Sequence, residues 1–356
     1  ACAVTGAPRP PSWTAPACPV PEDADRITLA HGAGAGASSR LLDERILPRL
    51  GGPPARGQHD AASLEIGGAR LAFTTDTFVV HPLEFPGGDI GSLAVHGTVN
   101  DLAMAGAMPR ALSCGLVLEE GLPLDLLDRL LASMGRAARE VGVPIVTGDT
   151  KVVEHGKGDG VFVNTTGVGE LAEGPALRPA AVRPGDTVIV SGDVGDHGAA
   201  VLSVREGLSF ESEIVSDSAP LHVLVHTLLA ACPETHCLRD PTRGGLGATL
   251  HGLARACEAE ITLVESSLPV SGPVRSACEL LGLDPLFLAC EGRLVAFVPE
   301  AAAERGLAAL RRHPLGEGAM RVGTVAKGRP RVVVETRLGA RRLLPLPAGE
   351  PLPRIC

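Results

Sequence analysis

The chain has 356 residues, an apolar fraction of 45% and a formal net charge of −9. This length allows two domains with separate cores. The acidic balance argues against a nucleic-acid-binding surface, and no apolar run is long enough to span a bilayer. Tyr is absent and Phe and Trp are few, so Ala, Leu, Val and Gly carry the packing. These features predict a globular protein with no nucleic-acid partner and no membrane partner.

Nine cysteines are scattered along the chain without C-x-x-C spacing. Such a distribution fits a reducing cytosol better than a disulfide framework or a zinc ribbon, and it predicts a cytoplasmic location. Cys257 and Cys278 lie in helix-like apolar stretches and are predicted to be core residues. Cys232 and Cys237 flank a Pro-Glu-Thr-His segment, where a loop with incidental thiols is favoured over a metal pair.

The first half of the chain alternates predicted strands with predicted helices. Residues 1–22 are rich in Ala and Pro, have no signal-peptide pattern and predict a disordered extension. Residues 23–172 predict a first α/β domain. Its strands and helices are expected in the following order: helix 41–50, strand 71–75, helix 90–105, strand 111–118, helix 124–141, strand 144–147 and strand 161–168.

The second half repeats this style and predicts a second α/β domain over residues 173–338. Residues 339–356, with four prolines, predict an extended and mobile tail. The expected elements are strand 187–191, helices 197–205 and 219–231, a helix from the turn at 239–247 to 256, strand 261–264, helix 273–281, strand 293–298, helix 300–312 and strands 321–326 and 331–335.

Four clusters in the first domain are rich in Gly or carry Asp, Asn or Lys, and two of them combine both features. The stretch 31–36 is Gly-rich and would let backbone N–H groups approach an anion, although a flexible loop would look the same. The other three are 74–77 with Asp76, 97–101 with Asn100 and Asp101, and 147–151. An Asp at a strand end is often only a helix cap or a turn residue. Several Asp residues with a Lys would also suit Mg²⁺ shared with phosphates.

Two further clusters lie in the second domain, and a third candidate is the last residue. The turn 238–247 opens a helix with charges and glycines, which is typical of an anion site. Glu291 follows Cys290 in a turn, where a Glu is usually solvated but could act as a general base if buried near a thiol. Cys356 ends the chain after a Pro-x-Pro spacer. A thiol on such an arm can enter an active site and leave it.

Taken together and in order, these motifs resemble the HypE family of hydrogenase maturation proteins, within the superfamily of aminoimidazole ribonucleotide synthetase and selenophosphate synthetase. The resemblance covers residues 27–356 and rests above all on VTGDTKVV and the PRIC ending, with LAHGAGAG, GTVNDLAMAGA, VSGDVGDHGA and LRDPTRGGL. It implies a two-domain α/β (α+β) fold like that of aminoimidazole ribonucleotide synthetase, with a flexible C-terminal tail, that dimerises through its N-terminal domains. It also implies ATP-dependent dehydration of a carbamoyl group on the terminal cysteine to a thiocyanate, whose cyanide becomes an iron ligand in [NiFe]-hydrogenase.

The resemblance also implies roles for individual residues. Cys356 carries the substrate, Glu291 assists deprotonation and Lys151 is catalytic. The expected metal ligands, with Mg as the metal, are Asp76, Asp101 and Asp240. The expected nucleotide-binding residues for ATP are Asp76, Asn100, Asp101, Thr147, Gly148, Asp149, Lys151, Asp240, Gly244 and Gly245. The chain departs from the family at Ala35, where Gly is more usual.

The expected partners are a second copy of the chain, the carbamoyltransferase HypF and the HypC–HypD iron-carrier complex. One alternative is a small-molecule ATP enzyme such as selenophosphate synthetase, which the PRIC tail disfavours. The other is a non-catalytic scaffold, which should bind no Mg-ATP.

Overall fold

A computed structural model describes residues 26–32, 36–51, 59–172, 174, 176–207, 214–347 and 354–356. None of the helices in these ranges has both the length and the apolar character needed to cross a bilayer. The disordered extension predicted for residues 1–22 lies outside the described residues, as does Ala35.

The first domain is a five-stranded sheet with helices on one face. The strand order is β1-β2-β7-β5-β6, in which only β5 and β6 are parallel. The elements up to the end of this domain are α1 (Gly36–Leu41), a π-helical turn (Leu42–Ile46), α2 (Leu47–Leu50), β1 (Ala62–Ile66), β2 (Ala69–Phe78), β3 (Glu84–Phe85), β4 (Gly88–Asp89), α3 (Ile90–Met104), β5 (Ala107–Glu119), α4 (Leu124–Val141), β6 (Ile145–Val153) and β7 (Val161–Leu171).

Helices α3 and α4 pack together on the inner face of this sheet. Asp89 caps α3 by accepting hydrogen bonds from the N–H groups of Gly91 and Ser92. A Cβ at Gly91 would overlap the Leu130 carbonyl of α4, so this glycine permits the close crossing of the two helices. Helix α4 ends at Gly142 in the left-handed conformation, as the Gly-Val-Pro stop predicted.

The second domain is a seven-stranded mixed sheet with helices on both faces, in the order β14-β13-β10-β12-β8-β11-β9. One face packs against α7 and the other against α6 and α9. Its elements are β8 (Asp186–Val190), α5 (Asp196–Arg205), α6 (His222–Ala231), β9 (Cys237–Arg239), α7 (Gly245–Cys257), β10 (Glu260–Val264), α8 (Gly272–Leu281), β11 (Val295–Pro299), α9 (Glu300–Arg311), β12 (Met320–Ala326), β13 (Arg331–Glu335) and β14 (Arg341–Leu343).

The two-domain α/β prediction is confirmed, and three details of the expected elements are corrected. Strands β1, β3, β4, β9 and β14 were not predicted. The cluster 147–151 lies inside β6 rather than after a strand, because β6 continues to Val153. Part of the predicted tail belongs to the second domain, since β14 pairs with β13 and Leu344 is buried.

The two domains meet where α3 of the first packs against α6 of the second. Ala103 and Met104 at the end of α3 share an apolar cluster with Leu221, Leu224 and Leu228. This contact brings the polar residues of α3 against the loops of the second domain. It therefore fixes the position of the candidate site, which takes residues from both domains.

Candidate active site

Three carboxylates from both domains form a compact group. Asp60 precedes β1, Asp101 lies on α3 and Asp240 follows β9, and each offers an oxygen within 4.8 Å of the others. Asp101 and Asp240 were expected here from the sequence. Asp60 was not, because nothing near it signalled a strand or a ligand.

The surroundings of this group favour a bound cation. Burial, together with the neighbouring carboxylates, raises the pKa of both Asp101 and Asp240 well above the usual value. The Arg239 guanidinium offsets part of this charge through an ion pair with Asp60 at 2.6 Å, and the Thr74 hydroxyl lies 2.7 Å from Asp101 Oδ2. Closely spaced carboxylate oxygens are the ligands that Mg²⁺ prefers, so the residues present fit this ion.

Asp76, the third predicted metal ligand, lies beside this group but outside it. It sits on β2, and its Oδ1 accepts a hydrogen bond from the Thr77 N–H at 2.8 Å. Burial raises its pKa, and the Arg243 guanidinium opposes that rise. Asp76 thus faces the same interior, and its role as a metal ligand stays a prediction.

A cavity of about 600 Å³ opens beside the carboxylates. Asp240 and Arg243 line it together with residues of α7. Gly244 and Gly245 start α7 in the left-handed conformation, and a Cβ at Gly245 would lie 2.5 Å from the Leu288 carbonyl oxygen. Only glycine fits this turn, which places Thr242 and Arg243 on the cavity wall.

Glu291 is buried at the junction of the two domains. Its side chain is 2% exposed, and Oε1 has no hydrogen-bond partner among the described residues. Burial raises its pKa well above the usual value, the carboxylates of Asp240, Asp76 and Asp217 add to the rise, and Arg243 opposes it. A buried carboxyl group with an unsatisfied oxygen is typical of a functional group rather than of a structural one.

Asn100 holds the backbone around Glu291. Its Nδ2 donates to the carbonyl oxygens of Glu291 at 3.1 Å and Ala219 at 3.0 Å, and its Oδ1 accepts from the Leu221 N–H at 2.8 Å. Both amide hydrogens and the amide oxygen are therefore engaged. The side chain therefore joins segments of the two domains, and the nucleotide-binding role of Asn100 stays a prediction.

We expect Asn100→Asp to loosen this junction. A carboxylate cannot donate to the two carbonyl groups, and each buried group left unsatisfied costs about 1–3 kcal/mol. Denaturant unfolding should show this loss, whereas Asn164→Asp on the open face of the first sheet should cost less. Equal losses in the two variants would contradict a bridging role for Asn100.

The end of the chain lies inside the protein. Ile355 is 1% exposed and Cys356 is 9% exposed, and both belong to an apolar cluster that takes residues from both domains. Cys356 and Arg243 line a second cavity of about 470 Å³. Arg243 therefore borders both the cavity with Asp240 and the cavity with the terminal thiol. The sequence motif contained Arg243 but gave no reason to assign it this position.

Asp149 and Lys151 do not join this group within one chain. Asp76 pairs with Thr165, Thr165 with Cys114 and Cys114 with Gly148, so β6 is three strand spacings from β2. At about 4.8 Å for each spacing, the separation is about 14 Å. Asp149 and Lys151 point to the opposite face of the sheet, where Lys151 Nζ lies 2.6 Å from Asp149 Oδ2. Within one chain, Asp149 and Lys151 therefore do not share a cleft with Asp101 and Asp240, and their roles in nucleotide binding and catalysis stay predictions.

Comparison with known proteins assigns the family. Residues 58–171 match the family model of the AIR synthase related protein, N-terminal domain, and residues 183–335 match that of the C-terminal domain. The carbamoyl dehydratase HypE of Azotobacter vinelandii is 54% identical over 331 residues, which are 93% of this chain and 97% of that protein. The chain belongs to the carbamoyl dehydratase HypE family.

Solved structures of the HypE family have the same fold. A crystal structure of HypE in complex with ATP is 50% identical with a TM-score of 0.79, and the match covers 93% of this chain and 100% of that one. HypE in a HypE–HypF complex is 43% identical with a TM-score of 0.82, and the match covers 86% of this chain and 99% of that one. The family expected from the sequence motifs is confirmed.

Proposed function

We propose that this chain is an ATP-dependent carbamoyl dehydratase of hydrogenase maturation that acts on an S-carbamoyl group carried by its own Cys356. The main observation in support of this proposal is the position of Arg243. This guanidinium borders the cavity that holds Asp240 and the cavity that holds the terminal thiol. A phosphoryl group passing from a nucleotide in the first cavity to a carbamoyl oxygen in the second would pass beside it, and a guanidinium suits that charge.

The reaction balances without an oxidant or a reductant. The carbamoyl oxygen attacks the γ-phosphorus of ATP, and the bond between that phosphorus and ADP breaks. The carbon–oxygen bond then breaks, phosphate leaves with the oxygen, and the nitrogen loses both protons, one to Glu291 and one to the departing phosphate, to give the thiocyanate. Phosphorylation is needed because a carbamoyl oxygen is a poor leaving group.

Each site residue has a place in this scheme. Asp60, Asp101 and Asp240 would hold Mg²⁺, which neutralises phosphate charge when bound. Glu291 would take a proton from the nitrogen, and Asn100 and Asp217 would hold Glu291 through its backbone. The buried apolar surroundings of Cys356 would keep water from the intermediate. Release of one ADP and one phosphate per thiocyanate tests the scheme, and thiocyanate without phosphate would contradict it.

Glu291→Gln tests the proton-transfer step. We expect it to slow thiocyanate formation by about a hundredfold or more, since general bases contribute this much. Because burial raises the pKa of Glu291, the carboxylate needed as a base forms at higher pH than for an ordinary Glu. The wild-type rate should therefore rise with pH through that raised pKa, and the variant should lack this rise. A variant with an unchanged rate and pH profile would remove Glu291 from the mechanism.

We also propose that two copies pair through the open face of the first sheet. The face turned away from α3 and α4 is uncovered and carries Phe73, which is 40% exposed, beside Thr75 and Thr77. An antiparallel sheet can leave one face in water, so it is the exposed aromatic side chain of Phe73 that favours a covered interface here. Asp149 and Lys151 lie on this face, so a dimer would allow Thr147, Gly148, Asp149 and Lys151 to reach a nucleotide bound to the other copy.

The proposed dimer predicts complementation between two inactive variants. Lys151→Ala should lose activity but keep its stability, because Lys151 is exposed. Asp240→Asn should also lose activity. Mixing and refolding the two should restore activity, since a mixed dimer has one site with Asp240 from one copy and Lys151 from the other. Phe73→Asp should give monomers in sedimentation and prevent the rescue. Rescue without dimers would contradict this arrangement.

The proposed partners follow from the path of the substrate. HypF would supply the carbamoyl group, and a relative of 43% identity has been crystallised as a HypE–HypF complex. The HypC–HypD complex would receive the cyanide. Both steps require the tail to leave the position in which Ile355 and Cys356 are buried. The cytoplasmic location predicted from the cysteines suits such exchanges.

A further inference from the structure

We propose that the cleft holding the last three residues is a peptide-binding site that reads the sequence Arg-Ile-Cys. It would therefore bind such a peptide supplied as a separate molecule. This inference rests on the proposed function, in which Cys356 is the group delivered to the active site. It goes further because it proposes that specific contacts of Arg354 and Ile355 place Cys356 in the active site, and that the covalent attachment of the tail to the chain is not sufficient.

The backbone of the tail extends the chain that leaves β2. The Val79 N–H donates to the Cys356 carbonyl oxygen at 2.9 Å, and the His81 N–H donates to the Arg354 carbonyl oxygen at 3.3 Å. Residues 79 and 81 thus pair with residues 356 and 354, which is antiparallel pairing of two extended segments. This is the pattern of a peptide strand added to an existing strand, which is a common mode of peptide recognition.

Arg354 provides a sequence-specific contact. Its Nε donates to the Val79 carbonyl oxygen at 3.1 Å, and its guanidinium pairs with Asp159. Its own carbonyl oxygen also accepts from Arg205 Nη2 at 2.8 Å. Arg354 adopts a left-handed backbone with φ of 58°, an unfavourable conformation for a residue with a side chain. The side-chain contacts to Val79 and Asp159 and the contact to the carbonyl oxygen hold the residue in this conformation. Because the side-chain contacts require a guanidinium, the site selects for Arg.

Ile355 provides a second contact. Its side chain is buried, and its carbonyl oxygen accepts from His197 Nε2 at 2.8 Å. Nδ1 of the same ring lies 2.8 Å from the Ser216 hydroxyl, and the Phe85 ring packs edge-on with centroids 5.2 Å apart. Burial lowers the pKa of His197 and keeps the ring neutral. Because Nε2 faces a carbonyl oxygen, Nε2 carries the proton, and Nδ1 accepts a hydrogen bond from the Ser216 hydroxyl. His197 is thus a fixed donor, and we assign it as a positioning residue.

Peptide binding in trans tests the proposal. The probe is a fluorescent peptide of sequence Pro-Leu-Pro-Arg-Ile-Cys with a free carboxylate. The acceptor is the full chain with Arg354→Glu, in which repulsion from Asp159 weakens the docking of its own tail. We expect saturable binding by anisotropy. Binding should weaken by about tenfold for a peptide with Glu in place of Arg, since reversing a half-exposed ion pair costs about 1.4 kcal/mol.

A charge exchange supplies the matched comparison. The full chain with Asp159→Arg, in which the new arginine repels Arg354 of its own tail, should prefer the Glu peptide, whereas a full chain with Arg342→Glu on β14 should gain no binding over wild type. No binding to any acceptor, or equal binding of both peptides to both acceptors, would overturn the proposal. In that case a loss of product in Cys356→Ala would still support the proposed function, so the two ideas fail separately.

Discussion

Cys356→Ala is expected to abolish thiocyanate formation completely while leaving the fold and ATP binding intact. The reason is chemical, since without the thiol there is no atom to carry the carbamoyl group. The substitution is structurally mild because alanine is smaller and apolar, and the hydrogen bond from the Val79 N–H goes to the backbone oxygen of residue 356. Thermal unfolding and nucleotide binding should therefore be close to those of the wild type.

Cys278→Ala is the matched control for this variant. Cys278 is a buried cysteine on α8 in the same apolar cluster as Cys356, and nothing places it at the reaction. It should retain thiocyanate formation when carbamoyl phosphate, HypF and Mg-ATP are present. Product from the Cys356→Ala chain would show that the group is carried elsewhere.

Asp101→Asn is expected to lower the rate by at least about a hundredfold and at the same time to stabilise the folded chain. The loss in rate follows because a metal ion contributes several kcal/mol to a phosphoryl transfer, and each 1.36 kcal/mol is about tenfold. The gain in stability follows because burial, Asp240 and Asp60 all disfavour the Asp101 carboxylate. Each kcal/mol of repulsion removed should raise the melting temperature by about 2–4 °C.

The stability of the chain should depend on pH, and the raised pKa values fix the direction of that dependence. The pKa values of Asp101, Asp240 and Glu291 are raised in the folded state, so the folded chain binds more protons than the unfolded chain. Without a bound cation, the free energy of unfolding should therefore fall as the pH rises from the unfolded pKa through these raised values. Asp101→Asn should reduce the fall, and Asp128→Asn on the exposed side of α4 should not. A destabilised Asp101→Asn chain would contradict the account of the carboxylate group.

The parts of the fold with strong local signals were predicted well. Helix α4 was predicted from its leucine spacing and from Gly142, and the structure has the same limits. Strands β1 and β14 were missed because they are exposed along their whole length, so burial imposes no alternation on their residues. Edge strands of this kind are defined by their neighbours rather than by their own sequence.

The sequence predicted several of the residues of the candidate site, but it did not predict how the fold arranges them. Asp101, Asp240 and Glu291 were expected from their motifs, and the structure brings them together. Asp60 was missed because its place depends on the ion pair with Arg239, which is far away in the sequence. The outward direction of Lys151 depends on where β6 pairs with β5, since a shift of one residue would turn it inward.

Mass spectrometry of the C-terminal peptide tests the central claim most directly. The wild-type chain is incubated with carbamoyl phosphate, HypF and Mg-ATP and is then cleaved by a protease. The account predicts a carbamoyl adduct on Cys356 that converts to an adduct lighter by one water, and the conversion should stop when a non-hydrolysable ATP analogue replaces ATP in a second incubation of the carbamoylated chain. An unmodified Cys356 alongside thiocyanate on another residue, or conversion that proceeds without ATP, would contradict it.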